Sequence, residues 1–174
     1  FAKIAEFYNQ RVQTYGYDPR ACDYGRAESQ NKKFSVLASA IDYKNLSILD
    51  VGCGFADYAS FLMKRYSGIR YYGIDLSTDM INKAQAIRTE LNLRVANILD
   101  LSELEMYDVV SANGIFYLLG QRAPEIMRQI VQKMFLHARR AVVFNSLSTW
   151  APIHAPGEYY ADPLEVVSWC KELS

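Results

Sequence analysis

Residues 49 to 59 read LDVGCGFADYA: an apolar run that ends in an acid, glycines at 52 and 54, and then a helical pattern. Glycines two apart after such a run let the backbone come close to a nucleotide. A second apolar run, RYYGID, ends in Asp75. That is about twenty residues beyond Gly54, a spacing at which a carboxylate takes both hydroxyls of a ribose. Ser77 and Asp79 can cap the helix that follows, which leaves Asp75 spare for a ligand. A dinucleotide fingerprint would carry a third glycine where this chain has Asp57. An acid there suits the dipole of the helix it opens but repels a pyrophosphate at the helix N-terminus. The loop therefore favours a nucleoside ligand with no phosphate at this point.

The elements that must position these residues alternate along the chain. Strands are expected at 46–51, 70–75, 93–98, 107–113 and 140–146. Helices are expected at 57–66, 78–91, 124–138 and 163–174. Two further helical stretches precede them, 2–12 with Ile4, Phe7 and Tyr8 on one face and 31–41 with Phe34, Leu37, Ala38 and Ile41 on another. Residues 15–29 between them, with Gly16, Pro19 and Gly25, read as irregular loop. Strands alternating with helices imply an α/β fold with a doubly wound, mainly parallel sheet covered on both faces. Such a sheet takes its ligand beyond the carboxyl ends of the strands, beside the first strand. No repeat or linker divides the chain. One domain is expected over 1–174: an N-terminal helical cap (1–42), a βα core (46–146), and a substrate-side loop with a last helix (147–174).

The stretches ILDVGCGFADYASFL, YYGIDLSTDMINKA, VANILDL and YDVVSANGIFYLL, in that order, resemble the successive motifs of the class I S-adenosylmethionine-dependent methyltransferases. The resemblance covers about residues 46 to 146 and implies a Rossmann-like methyltransferase fold with S-adenosylmethionine as cofactor. It implies that the Gly52-Cys53-Gly54 backbone cradles the methionine part and that Asp50 anchors the loop and approaches the ammonium. It gives Asp75 to the ribose and Leu76 and Met80 to the adenine. Asn97 and Ile98 read the adenine edge, and Asn113 and Gly114 lie beside the methyl group. Three departures stand out. Ala56 replaces the usual third glycine, which is tolerable if the residue already has helical dihedrals. Asn97 replaces an aspartate, although its amide oxygen can still accept from the adenine amino group. The antiparallel strands that normally close the family's sheet are lacking, and there is no initiator methionine, so a processed or truncated chain is expected.

Methyl transfer needs alignment and exclusion of water, and no residue declares itself as a base. The weak catalytic candidates are His154, in the segment after the fifth strand, and the tyrosines Tyr8 and Tyr24. These two, with Tyr15 and Tyr17, could form an aromatic lid over a cation or simply pack the N-terminal helices on the sheet. Arg26, Ser29 and Gln30 could reach the cofactor carboxylate. His137, at a helix end, reads as a cap.

Nineteen basic residues balance nineteen acidic ones, which gives no electrostatic footprint for nucleic acid. The family's amino-directed nucleic-acid enzymes carry an Asn/Asp-Pro-Pro-aromatic run where this chain has NGIF, so a small-molecule acceptor is expected. No apolar run approaches the roughly 20 residues that span a bilayer. The three cysteines lack metal-ligand spacing and read as reduced thiols in a cytoplasmic protein. Oligomeric state is not legible. The alternatives are a cofactor-binding module without catalysis and, against the missing third glycine and Asp57, a nicotinamide-dependent oxidoreductase.

Overall fold

The computed structural model describes residues 1–102 and 104–173. Its strands are β1 (Ser47–Val51), β2 (Arg70–Asp75), β3 (Asn92–Val95), β4 (Tyr107–Ala112) and β5 (Ala138–Phe144). They form one sheet in the order β3-β2-β1-β4-β5, with every neighbouring pair parallel. This is the doubly wound α/β fold that the alternation of elements requires. The helices are α1 (Ala2–Tyr15), α2 (Ala27–Ala38), α3 (Asp57–Met63), α4 (Thr78–Ile87), α5 (Ala123–His137) and α6 (Pro163–Cys170).

All five residues of β1 are buried, as its central place demands, and its side chains alternate between two cores. Ile48 faces the cluster of Phe34, Leu37, Tyr58, Leu62 and Ile81, supplied by α2, α3 and α4. Leu49 and Val51 face Met127, Val131, Met134 and Trp169 of α5 and α6. At the edge, only Leu93 of β3 is buried. Because all strands run the same way, the loops after Val51, Asp75, Ala112 and Phe144 meet at one end of the sheet. There α1 packs on α4 and on a short 3-10 helix, Pro19–Cys22, within the stretch expected to be irregular loop.

Several boundaries differ from expectation for local reasons. The helix expected to reach residue 91 stops at Ile87, because Arg88 leaves helical dihedrals (φ −129°, ψ 65°) and turns its guanidinium back onto the Phe55 carbonyl and Asp57. The third strand ends at Val95 because the Asn97 side chain accepts from Leu99 N–H and opens a 3-10 turn over Ile98–Asp100. The second N-terminal helix begins earlier, at Ala27, and β5 starts directly off α5 at Ala138. The last helix ends at Cys170, and the expected final residue, Ser174, lies outside the described residues.

Candidate functional site

One cavity lies over the carboxyl ends of β1, β2 and β4, under α1 and residues 22–24. Its wall contains every residue that the resemblance assigned to the cofactor: Asp50, Gly52, Cys53, Gly54, Asp75, Leu76, Met80, Asn97, Ile98, Asn113 and Gly114.

The glycine loop is held by β2. The N–H groups of Gly52 and Cys53 both donate to the Ile74 carbonyl at 2.8 and 3.0 Å. Gly54 N–H donates to Asp75 Oδ2 at 2.9 Å. Gly52 (φ +72°) admits no side chain, since a Cβ there would lie 2.4 Å from Ile115 Cγ2. Asp75 is therefore not spare. It anchors the loop and also accepts from Ser77 N–H at 2.9 Å through Oδ1. Each carboxylate oxygen has a second lone pair for a ligand hydroxyl. Burial raises its pKa, against the lowering by these backbone donors.

Asp50 does not anchor the loop. It sits almost fully buried on the cavity floor and accepts from Tyr71 Oη and from Ser111 Oγ, the latter at 2.9 Å. Burial pushes its carboxyl up to about 6, although both hydrogen bonds pull the other way.

Ala56 is a correction. It has not entered helical dihedrals but caps α3 in the left-handed region (φ 56°, ψ 33°), which costs an L-residue roughly 1–2 kcal/mol. Asp57 is a second correction. Its carboxylate accepts from Arg88 Nη2 at 2.5 Å and Tyr17 Oη at 2.7 Å, so its charge is compensated within the protein. Asn97 keeps its place, but its amide oxygen already accepts from Leu99 N–H at 3.1 Å.

The aromatic cover is made differently from the sequence reading. Tyr8 and Tyr24 line the cavity, whereas Tyr15 and Tyr17 lie outside its wall and are exposed. Tyr15 carries Arg11 and Arg20 on its ring. Tyr8 and Tyr117 share a hydrogen bond of 2.9 Å, and Tyr117 donates to Asp23 at 2.7 Å. The Asn113 amide donates to Tyr24 Oη at 2.9 Å. Burial raises the pKa values of Tyr8, Tyr24 and Tyr117, so none is a base at neutral pH.

His154 does not border the cavity. Its segment turns outward, where the imidazole stacks on Tyr160 with ring centroids 4.0 Å apart, and Leu147 and Glu158 reach the wall instead. Arg26 and Ser29 are exposed on the outside of α2. Gln30 alone of that trio is buried and lines the cavity, 3.5 Å from Asp57. His137 is not a solvent-facing cap. It is fully buried near the amino ends of β4 and β5, with Nδ1 2.6 Å from the Glu105 carbonyl.

Sequence reading missed Tyr117, Asp23, Lys33 and Asn145. Asn145 receives Gly114 N–H at 2.7 Å and donates to Asn113 at 2.7 Å, which fixes the loop after β4. Its signal was its position directly after a strand end, but the residue type announced no chemistry.

The electrostatics of the wall are one-sided. Asp23 and Asp57 line it but are paired with Arg11 and Arg88, which leaves Asp50, Asp75 and Glu158 as its unpaired carboxylates against Lys33 as the cationic side chain. Such a cavity suits a cation with an apolar body and disfavours a pyrophosphate. Among the described residues there is no cluster of acids, histidines and cysteines that would hold a metal ion.

A family profile described as a methyltransferase domain matches residues 48–135, which run from β1 into α5 and include the glycine loop. The chain belongs to the class I S-adenosylmethionine-dependent methyltransferase family. Among the relatives of this methyltransferase domain, malonyl-[acyl-carrier protein] O-methyltransferase of Acetivibrio thermocellus is 34% identical over 96 residues. That match covers 52% of this chain and 34% of the relative. Trans-aconitate 2-methyltransferase of Rhodopseudomonas palustris is 29% identical over 83 residues, covering 48% of this chain and 32% of the relative. The matched stretches thus span about a third of these relatives. In fold, the methyltransferase domain is similar to magnesium protoporphyrin IX methyltransferase from Synechocystis PCC 6803 with bound S-adenosylhomocysteine. The TM-score is 0.75 at 15% identity, over 99% of this chain and 88% of that one.

Proposed function

We propose that the chain binds S-adenosylmethionine in this cavity and transfers its methyl group to a small-molecule acceptor. The observation that carries the reading is the acidic, glycine-lined wall. A cofactor that brings a sulfonium and an ammonium fits a wall of carboxylates, and an anionic nicotinamide dinucleotide does not. When bound, the cofactor supplies an electrophilic methyl carbon for in-line displacement.

The chain's own residues then have positioning roles. Gly52, Cys53 and Gly54 offer backbone to the amino-acid end. Asp50 supplies a buried charge near the ammonium, and Asp75 holds the ribose while it anchors the loop. Leu76, Met80 and Ile98 pack around the adenine, with Asn97 at its edge. Asn113 and Gly114, fixed by Asn145, border the methyl position. Tyr8, Tyr24 and Tyr117 cover the site and exclude water.

The names of the relatives, which refer to malonyl-[acyl-carrier protein] and trans-aconitate, support a small acceptor over a nucleic acid. Residues 1–174 act as one unit in this reading, with 1–42 as cap and 147–174 on the acceptor side. No described helix is long and apolar enough to cross a membrane. Three free cysteines fit a reducing, cytoplasmic setting.

Calorimetric titration of S-adenosylmethionine, S-adenosylhomocysteine and NAD into the wild type and Asp75→Ala tests the reading. Micromolar binding of the adenosyl ligands alone, weakened at least tenfold in the variant, is expected. Preference for NAD, or no adenosyl binding by the folded protein, would overturn it.

A further inference from the structure

A second cavity adjoins the first and shares Lys33, Gly114, Tyr117 and Leu147 with it. It is an open recess of about 300 Å³, otherwise lined by exposed Lys32 and Val36 and by Phe116, Asn145 and Ser146. Its charge is opposite to that of its neighbour: two lysines and no carboxylate. Gly114, assigned above to the methyl position, lies on the partition between the two cavities.

Lys33 stands at the junction. Its ammonium lies over the Tyr24 ring, 4.9 Å from the centroid, and it has no ion pair among the described residues. The nearby acids are engaged elsewhere: Asp23 with Arg11 at 2.8 Å and with Tyr117, and Glu158 with Tyr160 at 2.8 Å. Desolvation lowers the pKa of Lys33, against the raising influence of Asp23 and Glu158. Lys33 is exposed at its outer end, and a cation at the mouth of a recess without an anion partner is a recognition group for one.

Neither cavity is lined by a histidine. The tyrosines between them hold their protons, and Asp50 is committed to Tyr71 and Ser111 on the floor. An acceptor that arrives already ionised needs no base from either wall.

We propose that the second cavity is the acceptor site and that the acceptor is a small carboxylic acid, held by Lys33 with Lys32 and methylated on a carboxylate oxygen. The proposal rests on the reading that the first cavity holds S-adenosylmethionine. In the step, a carboxylate oxygen forms a bond to the methyl carbon as the carbon–sulfur bond breaks. The electron pair of that bond goes to sulfur, the products are a neutral ester and a neutral thioether, and no proton moves. The second amide proton of Asn145, beside the one given to Asn113, is left for the second carboxylate oxygen, whereas Ser146 Oγ donates to the Leu147 carbonyl at 2.9 Å. Phe116 and Val36 supply the apolar wall.

The test titrates acetate, malonate and trans-aconitate, with acetamide and malonamide as uncharged counterparts, into the protein with and without saturating S-adenosylhomocysteine. Wild type is compared with Lys33→Met and Lys33→Arg. At least one carboxylate is expected to bind at least tenfold more tightly than the amides. Lys33→Met should lose that preference and Lys33→Arg should retain most of it. Incubation of the preferred acid with S-adenosylmethionine should then yield its methyl ester. Carboxylates that bind no better than amides, binding unaffected by Lys33→Met, or methylation of an amide rather than the acid would each overturn the proposal. Failure of S-adenosylhomocysteine to bind the wild type, with Lys33-dependent carboxylate binding intact, would instead refute the cofactor reading and leave the anion site standing.

Discussion

Replacing Arg88 by methionine tests whether the glycine loop is held by a desolvated charge network or by an ordinary surface pair. The Arg88 and Asp57 side chains are 13% and 20% exposed, so water screens the pair only partly. Arg88 donates to the Phe55 carbonyl at 2.8 Å, Ser60 Oγ at 2.6 Å, Asp57 at 2.5 Å and Tyr17 at 3.2 Å. Methionine fills much of the volume but strands the Asp57 carboxylate and leaves the Phe55 carbonyl without this donor. Breaking a buried pair from one side costs about 3–5 kcal/mol, and the remaining exposure places this case near the lower figure. At roughly 2–4 °C per kcal/mol for a chain of this size, a loss of about 3 kcal/mol lowers Tm by roughly 6–12 °C. Urea unfolding of wild type, Arg88→Met, Asp57→Asn and the double variant reads this directly. The double variant should be less impaired than the sum of the single ones, because Asp57→Asn removes the stranded charge. An Arg88→Met cost under about 1 kcal/mol, or strict additivity, would refute the network. Phe55 follows Gly54 directly, so Arg88→Met should also weaken S-adenosylhomocysteine binding.

Two further outcomes follow from the cavity floor and the loop. Asp50 has a folded-state pKa of about 6, above its ordinary 3.8, so the folded protein holds that proton more tightly than the unfolded chain. The associated stability is full below about pH 4 and is lost as pH rises through 6, by about 3 kcal/mol. The stability of Asp50→Asn relative to wild type, read from urea midpoints, should therefore grow by that amount between pH 4 and 7, and a flat difference would contradict the assignment. Gly52→Ala puts a Cβ into Ile115 at a positive φ and should reduce S-adenosylhomocysteine affinity at least tenfold. Gly25→Ala, where a Cβ meets nothing within 4 Å, should leave it unchanged. Equal affinities for the two variants would sink the close-approach argument.

The parts of the site that ride on strand ends were legible in the sequence, because an apolar run followed by Gly52 or Asp75 fixes where a parallel sheet delivers its residues. The rest depended on partners distant in the chain. Nothing local to Asp57 announces that Arg88 neutralises it, and nothing local to Arg88 says that α4 must end there. Ala56 looked compatible with helical dihedrals, but the close turn of the loop places it in the left-handed region despite its Cβ. The tyrosine lid was legible as a composition and not as a set. Tyr8 and Tyr24 reach the cavity, Tyr15 and Tyr17 do not, and Tyr117 arrives from beyond β4. His154 illustrates the converse, since an attractive residue type sits in a segment whose turn around Tyr160 carries it away from the wall.

A crystal structure with S-adenosylhomocysteine tests the central claim most directly. The account predicts the adenosine against Leu76, Met80 and Ile98, the ribose hydroxyls within hydrogen-bond distance of Asp75, and the amino-acid end on Gly52–Gly54 with its sulfur directed toward Gly114 and the lysine-lined cavity. Ligand density outside this cavity, or in it with the ribose away from Asp75, would contradict the account.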